Sequence, residues 1–236
     1  MTRVKGQIVG SCWLLLTLNS EDYGHAFTLE EIQGIEDVFE RYKEAYKGII
    51  LRSSGRRFFC SGGNLKKYRK MSRSEGIKTN RKIRNFIQEF DGLGLPTVAI
   101  VDGDCLGGGL ELVSAFDHVI ATPQSIFGFW QRRIGLTFGW GGGRRLLSRM
   151  TDKKLRSLSL AGSSIDARQA YDWGLVDEIA IRTVALDRAQ QWLQSQKSYS
   201  QYPVEFLKSR DWKYEVKFFE KIWMNKDHQS LLKRFF

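Results

Sequence analysis

The chain predicts an α/β fold with a helical C-terminal region, on three observations. Short apolar runs end in glycine-rich turns that open into helix-like sequence, and this strand, turn and helix order recurs. At 236 residues and 42% hydrophobic, the chain can bury a full core. From Ala185 onward it turns helical and aromatic-rich. With Pro96, Pro123 and Pro203 as its only prolines and no repeat or low-complexity tract, it shows no flexible linker. The expected organisation is a core over residues 1–180 and a helical region over 181–236 that serves packing and assembly.

The elements follow in order. Ser11 to Leu18 is an apolar strand. Thr28 caps a helix from Leu29 to Tyr46, with Glu31 completing a capping box. Gly48 to Arg52 is the next strand, and a glycine turn and a basic segment lead from it to a helix near Ile83 to Phe90. The strand Thr97 to Val101 delivers the chain to a second glycine turn and a helix that begins near Gly109. His118 to Ala121 is a short buried strand, and Phe127-Gly128-Phe129 opens an extended segment. A third turn, Gly139 to Gly143, precedes Arg144, Arg145 and an amphipathic stretch from Leu146 to Leu160. It lacks the Lys-Ser/Thr ending of a phosphate loop, so close helix packing explains its glycines. In the tail, Trp212, Phe218, Phe219, Ile222 and Trp223 share a helical spacing that predicts a packed face, against the chain itself or a neighbouring subunit.

Composition narrows the function. No apolar run approaches the roughly 20 residues of a membrane span, and no secretory leader is legible, so the expectation is a cytoplasmic protein. Cys12, Cys60 and Cys105 have neither even number nor CxxC spacing and read as reduced thiols. The net charge of +11 raises nucleic acid as a partner, but the basic residues are dispersed and no nucleic-acid motif accompanies them. The cluster Lys66, Lys67, Arg69, Lys70 suits a small phosphorylated ligand, whereas Arg81, Lys82 and Arg84 read as solvated surface.

Two segments stand out: Phe58-Phe59-Cys60-Ser61-Gly62-Gly63-Asn64-Leu65 and Leu106-Gly107-Gly108-Gly109-Leu110-Glu111-Leu112. Each runs from an apolar strand through bare backbone into a helix. Glycine lacks Cβ, so its N–H can approach a ligand oxygen closely, and amides at a helix start favour negative charge. Two such turns, with Glu111 three residues after Gly108, suit a carbonyl that becomes an enolate.

These segments, with Ala99-Ile100-Val101-Asp102-Gly103, Asp117, Ile134-Gly135-Leu136, Leu160-Ala161-Gly162 and Gly174-Leu175-Val176-Asp177 in order, resemble the crotonase superfamily, the enoyl-CoA hydratase/isomerase family. The resemblance implies a crotonase-like spiral of ββα units, a C-terminal helical region that helps form a homotrimer or dimer of trimers, and an acyl-CoA thioester as substrate. It implies no metal and no redox cofactor, coenzyme A entering only as part of the substrate. By motif position, the N–H groups of Gly63 and Gly108 would hold the thioester oxygen, and Asn64, Leu65 and Lys66 lie where the family contacts CoA.

The resemblance also frames the chemistry. Family hydratases use two carboxylates around water; Glu111 matches the first, as the acid/base, while Gln131 stands at the second, an amide that cannot exchange a proton near neutral pH. His25, His118 and His228 receive structural roles. Arg132 and Arg133 could bind a substrate carboxylate and, with Trp140-Gly141-Gly142, are similar to what family decarboxylases of malonyl-type CoA esters show. Three readings stay open: a hydratase or isomerase working through Glu111, first on family frequency; an acyl-CoA decarboxylase; and a non-catalytic relative that binds CoA esters or RNA.

Overall fold

The computed structural model describes residues 2–43, 45–197, 204, 207–208 and 212–233. Two sheets carry the core. Strands β1 (Val4–Val9), β2 (Trp13–Leu18), β3 (Gly48–Ser53), β5 (Thr97–Val101), β7 (His118–Ala121) and β10 (Glu178–Ile179) form a six-stranded sheet in that order. A four-stranded sheet follows the order β4 (Phe58–Cys60), β6 (Asp104–Leu106), β8 (Ile126–Gly128), β9 (Ser164–Asp166). Pairing is parallel except at the β1–β2 and β8–β9 edges.

Successive strands alternate between the sheets: β3 then β4, β5 then β6, β7 then β8. This is the ββα spiral, and it explains the unbroken apolar runs Ile49 to Leu51 and Val98 to Val101, since a strand inside a covered parallel sheet is buried on both faces. On one face, Leu14, Leu16, Leu51, Ala99 and Val119 join Phe59 and Phe127 in the main core. On the other, Trp13, Leu15, Ile50, Val98 and Ile100 pack against Ala185, Ala189 and Leu193 of a late helix, so residues beyond 181 begin by covering the sheet.

Several boundaries differ from the sequence expectation, each for a physical reason. Helix α1 (Leu29–Arg41) has its capping box but stops short of Tyr46. Tyr42 ends it by donating its hydroxyl to the Gly6 carbonyl, 3.0 Å away, and Tyr46 folds back to stack on Phe39. The basic segment is the short α2 (Leu65–Tyr68), and α3 (Arg73–Asp91) starts ten residues before Ile83 because Ser72 and Glu75 form a second capping box. Helix α4 (Gly108–Val113) follows the second glycine turn. The stretch from Leu146 to Leu160 is broken into α5 (Gly142–Leu147) and α6 (Asp152–Ala161), the latter capped by Thr151.

Then come α7 (Ala167–Asp172) and α8 (Arg182–Lys197), the helix that covers the sheet. The last helices are α9 (Glu215–Ile222) and α10 (Lys226–Leu232). Among the described residues the expected aromatic face in the tail is only partly covered: Phe219 is 54% and Trp223 57% exposed, and the Trp223 ring lies between Phe219 and His228, with centroids 5.3 and 5.0 Å away. The Trp212 side chain lies outside the described residues. Among the described residues no helix is long and apolar enough to cross a membrane, and all three cysteines are free thiols.

Candidate active site

The parallel pairing of β4 with β6 sets the two glycine turns side by side. Cys60 and Cys105 are register partners, and each lies three residues before its glycine, Gly63 and Gly108. The turns touch: Gly62 has φ +90°, and a Cβ there would lie 2.8 Å from the Gly108 nitrogen. The chain holds this strained geometry by donating Phe27 N–H to the Gly62 carbonyl at 2.8 Å and Gly107 N–H to Gly128 at 2.9 Å. The N–H groups of Gly63 and Gly108 find no acceptor among the described residues. Both line a cavity of about 150 Å³, together with Tyr68, Glu111, Gln131 and Trp140. Both glycines are half-buried and Gly108 opens α4, where an amide has no partner within the helix, so two free amides on one cavity can receive an oxygen ligand.

Glu111 comes from α4, and its side chain reaches the third glycine turn. Oε1 accepts from Gly139 N–H at 3.1 Å, and Oε2 accepts from Trp140 N–H at 2.8 Å and Gly142 N–H at 2.9 Å. The residue is 2% exposed. Its carboxylate thus caps the start of α5, and Gly142 is glycine because a Cβ would lie 2.5 Å from the Glu111 side chain. Burial pushes the Glu111 pKa up, opposed by the amides of Gly142, Trp140 and Gly139 and by the nearby Gln131 amide. Gln131 approaches near enough to favour the charge but misses hydrogen-bond geometry, leaving Nε2 buried without a partner among the described residues. Among the described residues no second carboxylate lines the cavity. Buried Arg145 ties the region together, donating to the main-chain oxygens of Glu111 and Trp140 at 3.2 and 3.0 Å.

The other sequence candidates divide. Leu65 is half exposed and lines the cavity, whereas Asn64 and Lys66 do not. Asn64 Oδ1 instead accepts from Lys67 N–H at 3.0 Å to cap α2. Lys67 pairs with Glu30, and Lys66 has no ion-pair partner among the described residues. Arg132 donates to the Leu160 carbonyl, and Arg133 Nε to Gly162 O at 2.7 Å with its guanidinium over Trp130, so both are engaged at the C-terminal end of α6, but Arg133 also lines the cavity and Arg132 does not. None of the histidines lines the cavity. His25, for one, is buried between Ser20 N–H and the Ser54 carbonyl, and burial lowers its pKa.

Two residues of the site were not legible in advance. Tyr68 from α2 and Asn80 from α3 both line the cavity. A second cleft of about 440 Å³ shares them and carries Arg73, Arg81 and Arg84, so part of the cluster read as plain surface borders the site.

The sequence profile of the enoyl-CoA hydratase/isomerase family matches residues 11–226. The chain belongs to that family. Ethylmalonyl-CoA decarboxylase of Mus musculus is 32% identical over 187 residues, 76% of this chain and 58% of the relative. An enoyl-CoA isomerase/hydratase of Mycosarcoma maydis is 36% identical over 147 residues, 62% of this chain and 53% of the relative. The chain therefore spans less than two thirds of the length of these curated relatives. The crystal structure of enoyl-CoA hydratase from Bacillus anthracis superimposes with a TM-score of 0.90 over 99% of this chain and 95% of the other; at 22% identity, that likeness is one of fold.

Proposed function

We propose that the chain acts on an acyl-CoA thioester through an enolate held by the N–H groups of Gly63 and Gly108, and that it makes this enolate by decarboxylating a malonyl-type CoA ester. One observation carries the choice: the carboxylate in the cavity, Glu111, accepts from three backbone N–H groups, filling most of its acceptor sites, and an amide stands at the place of the second acid. A base so engaged is poorly placed to take a proton from carbon or water. Decarboxylation needs no base to start. The bond from the α-carbon to the carboxylate breaks, CO₂ leaves, and the electron pair moves into the thioester to form the enolate, which then takes a proton from solvent water at the α-carbon, releasing hydroxide. Neither a metal nor a redox cofactor enters that balance.

The residues supply what the step requires. Two preorganised amides meet the charge that grows on the thioester oxygen, at about 3 kcal/mol each. The walls of Leu106, Trp130, Leu136 and Trp140 offer the leaving carboxylate little hydration, which raises its energy relative to neutral CO₂. Lys66, free of an acidic partner among the described residues, could meet a CoA phosphate as a point charge.

The hydratase or isomerase reading is supported by the raised pKa of Glu111, which suits an acid/base group, and by the likeness to the Mycosarcoma maydis isomerase/hydratase. The discriminating experiment is a mass-spectrometric screen of methylmalonyl-, ethylmalonyl-, crotonyl- and 3-enoyl-CoA. Turnover of the malonyl esters with little hydration is expected; efficient hydration of crotonyl-CoA alone would reject decarboxylation. We further propose a cytoplasmic homotrimer, supported by the three free thiols and the exposed Phe219 and Trp223 face.

A further inference from the structure

Each glycine of the amide pair lies under an aromatic ring. A Cβ at Gly63 would fall 2.6 Å from Tyr68 Oη and Cε2, and one at Gly108 would fall 2.6 Å from Trp140 Cη2. Backbone hydrogen bonds hold the neighbouring peptides at Gly62 and Gly107, and at Gly63 and Gly108, where the backbone has no side chain to restrict it, the rings close directly over the Cα. The two rings, from segments far apart in the chain, meet at one atom. Tyr68 Oη donates to Asn80 Oδ1 at 3.1 Å, and Trp140 Nε1 donates to the same oxygen at 2.8 Å. The other end of that amide is also used, as Asn80 Nδ2 donates to the Gly76 carbonyl at 2.8 Å one turn back on α3. With two donors on one side and a carbonyl on the other, only one orientation of the amide satisfies all three groups. Its base is a helix of 19 residues with a capping box, a rigid support.

We infer that Asn80 is a positioning residue for the oxyanion site: its single Oδ1 clamps the Tyr68 and Trp140 rings, and the rings set the places of the Gly63 and Gly108 amides. The inference rests on the acyl-CoA reading above. Asn80 need not touch the thioester to act. Without Oδ1, the tyrosine hydroxyl and the indole N–H lose their shared acceptor, and the rings turn to find other partners. A displacement of about 1 Å at a reacting group costs on the order of a hundredfold in rate, so a loosened clamp should show in kcat.

The test is isotope-edited infrared spectroscopy of ¹³C-carbonyl butyryl-CoA, a saturated ester that binds without reacting. In the wild type, the carbonyl band should shift to lower frequency on binding, because the amides polarise it. Asn80→Ala should still bind the ester but lose at least half of that shift, with kcat on the best screened substrate down roughly ten- to a hundredfold. Asn80→Asp retains an acceptor oxygen for both rings but loses the donor to the Gly76 carbonyl, and should keep more of the shift than Asn80→Ala. Loss of packing alone would lower Tm while leaving the band of the folded protein in place. Should Asn80→Ala not fold, Tyr68→Phe removes one donor, keeps the ring and should lose a smaller part of the shift. A full shift in the folded Ala variant, or in Tyr68→Phe when that variant is the one read, overturns the inference, as does equal loss in the Asp and Ala variants. Absence of binding or of a shift in the wild type would instead reject the oxyanion assignment itself, and Asn80's role with it.

Discussion

Exchange of Glu111 for Gln separates the two chemistries because the structure says what the change leaves behind. The amide has one acceptor oxygen, and the better orientation sets it at the Oε2 position, where Trp140 and Gly142 donate. Gly139 N–H then faces an NH₂ group instead of Oε1. Hydrogen bonds to a charged acceptor contribute about 1.5–3 kcal/mol and neutral ones about 0.5–1.5, so two weakened bonds and one lost cost roughly 3.5–6 kcal/mol. Relief from burying a charge offsets most of this, since burial outweighs the amides and leaves the Glu111 pKa raised. We expect a net change within about 1 kcal/mol and a Tm within roughly 2–4 °C of the wild type. Two of three contacts still hold Trp140 over Gly108, so decarboxylation of a malonyl-type ester should fall less than about tenfold. A general base contributes ~100-fold or more. The assay is turnover of ethylmalonyl-CoA with Tm in parallel. A loss of two orders of magnitude, at a Tm within the expected range and an unchanged carbonyl band, would mean that the carboxylate itself moves a proton and that the base-free mechanism is wrong.

Other outcomes follow from the same contacts. Gly108→Val drives a side chain into the Trp140 ring and should abolish turnover while leaving a folded protein; unchanged turnover would place the oxyanion site elsewhere. Gln131→Glu puts a second carboxylate in the cavity and should raise crotonyl-CoA hydration from a low baseline, whereas a wild type already near a typical kcat of about 10 per second would show that two acids are not required. The folded-state pKa of Glu111 lies above its ordinary value of 4.5, so its contribution to stability is full below that pH and fades as pH rises through the raised value. Urea titrations across this range should show that slope in the wild type and not in Glu111→Gln. Glu30 behaves oppositely: Lys67 and Thr28 hold its pKa down to about 2, so its contribution is present above 4.5 and lost toward pH 2, a loss that Lys67→Met should reduce.

What could be read in advance depended on whether the physics was local. The capping box at Thr28 and Glu31, the apolar strands and the strand-to-helix glycine turns are written in neighbouring residues, and the folded chain shows them. The capping box at Ser72 and Glu75 was equally local, and reading that spacing would have found the true start of α3. The break between α5 and α6 was masked by apolar positions on both sides of Thr151 that continue one helical spacing. For Glu111, position was legible and circumstance was not: nothing local announces that Gly139, Trp140 and Gly142 will spend their amides on it.

Asn80 marks the limit most clearly. It sits on a helix face among arginines as an ordinary polar residue, and its partner Trp140 is sixty positions away in a turn whose glycines drew attention to backbone rather than to the indole between them. The glycine turns say where an oxygen could bind, because a missing Cβ is visible in sequence. Which atoms fill the space that the Cβ leaves is decided only when α2, α3 and the third turn come together. At both glycines that filler is an aromatic ring with a polar edge, and both edges end on one amide oxygen. The bare backbone that made the site recognisable therefore depends on side chains that no local pattern singles out. A substitution at Asn80 should accordingly disturb the amide pair while leaving every glycine motif intact.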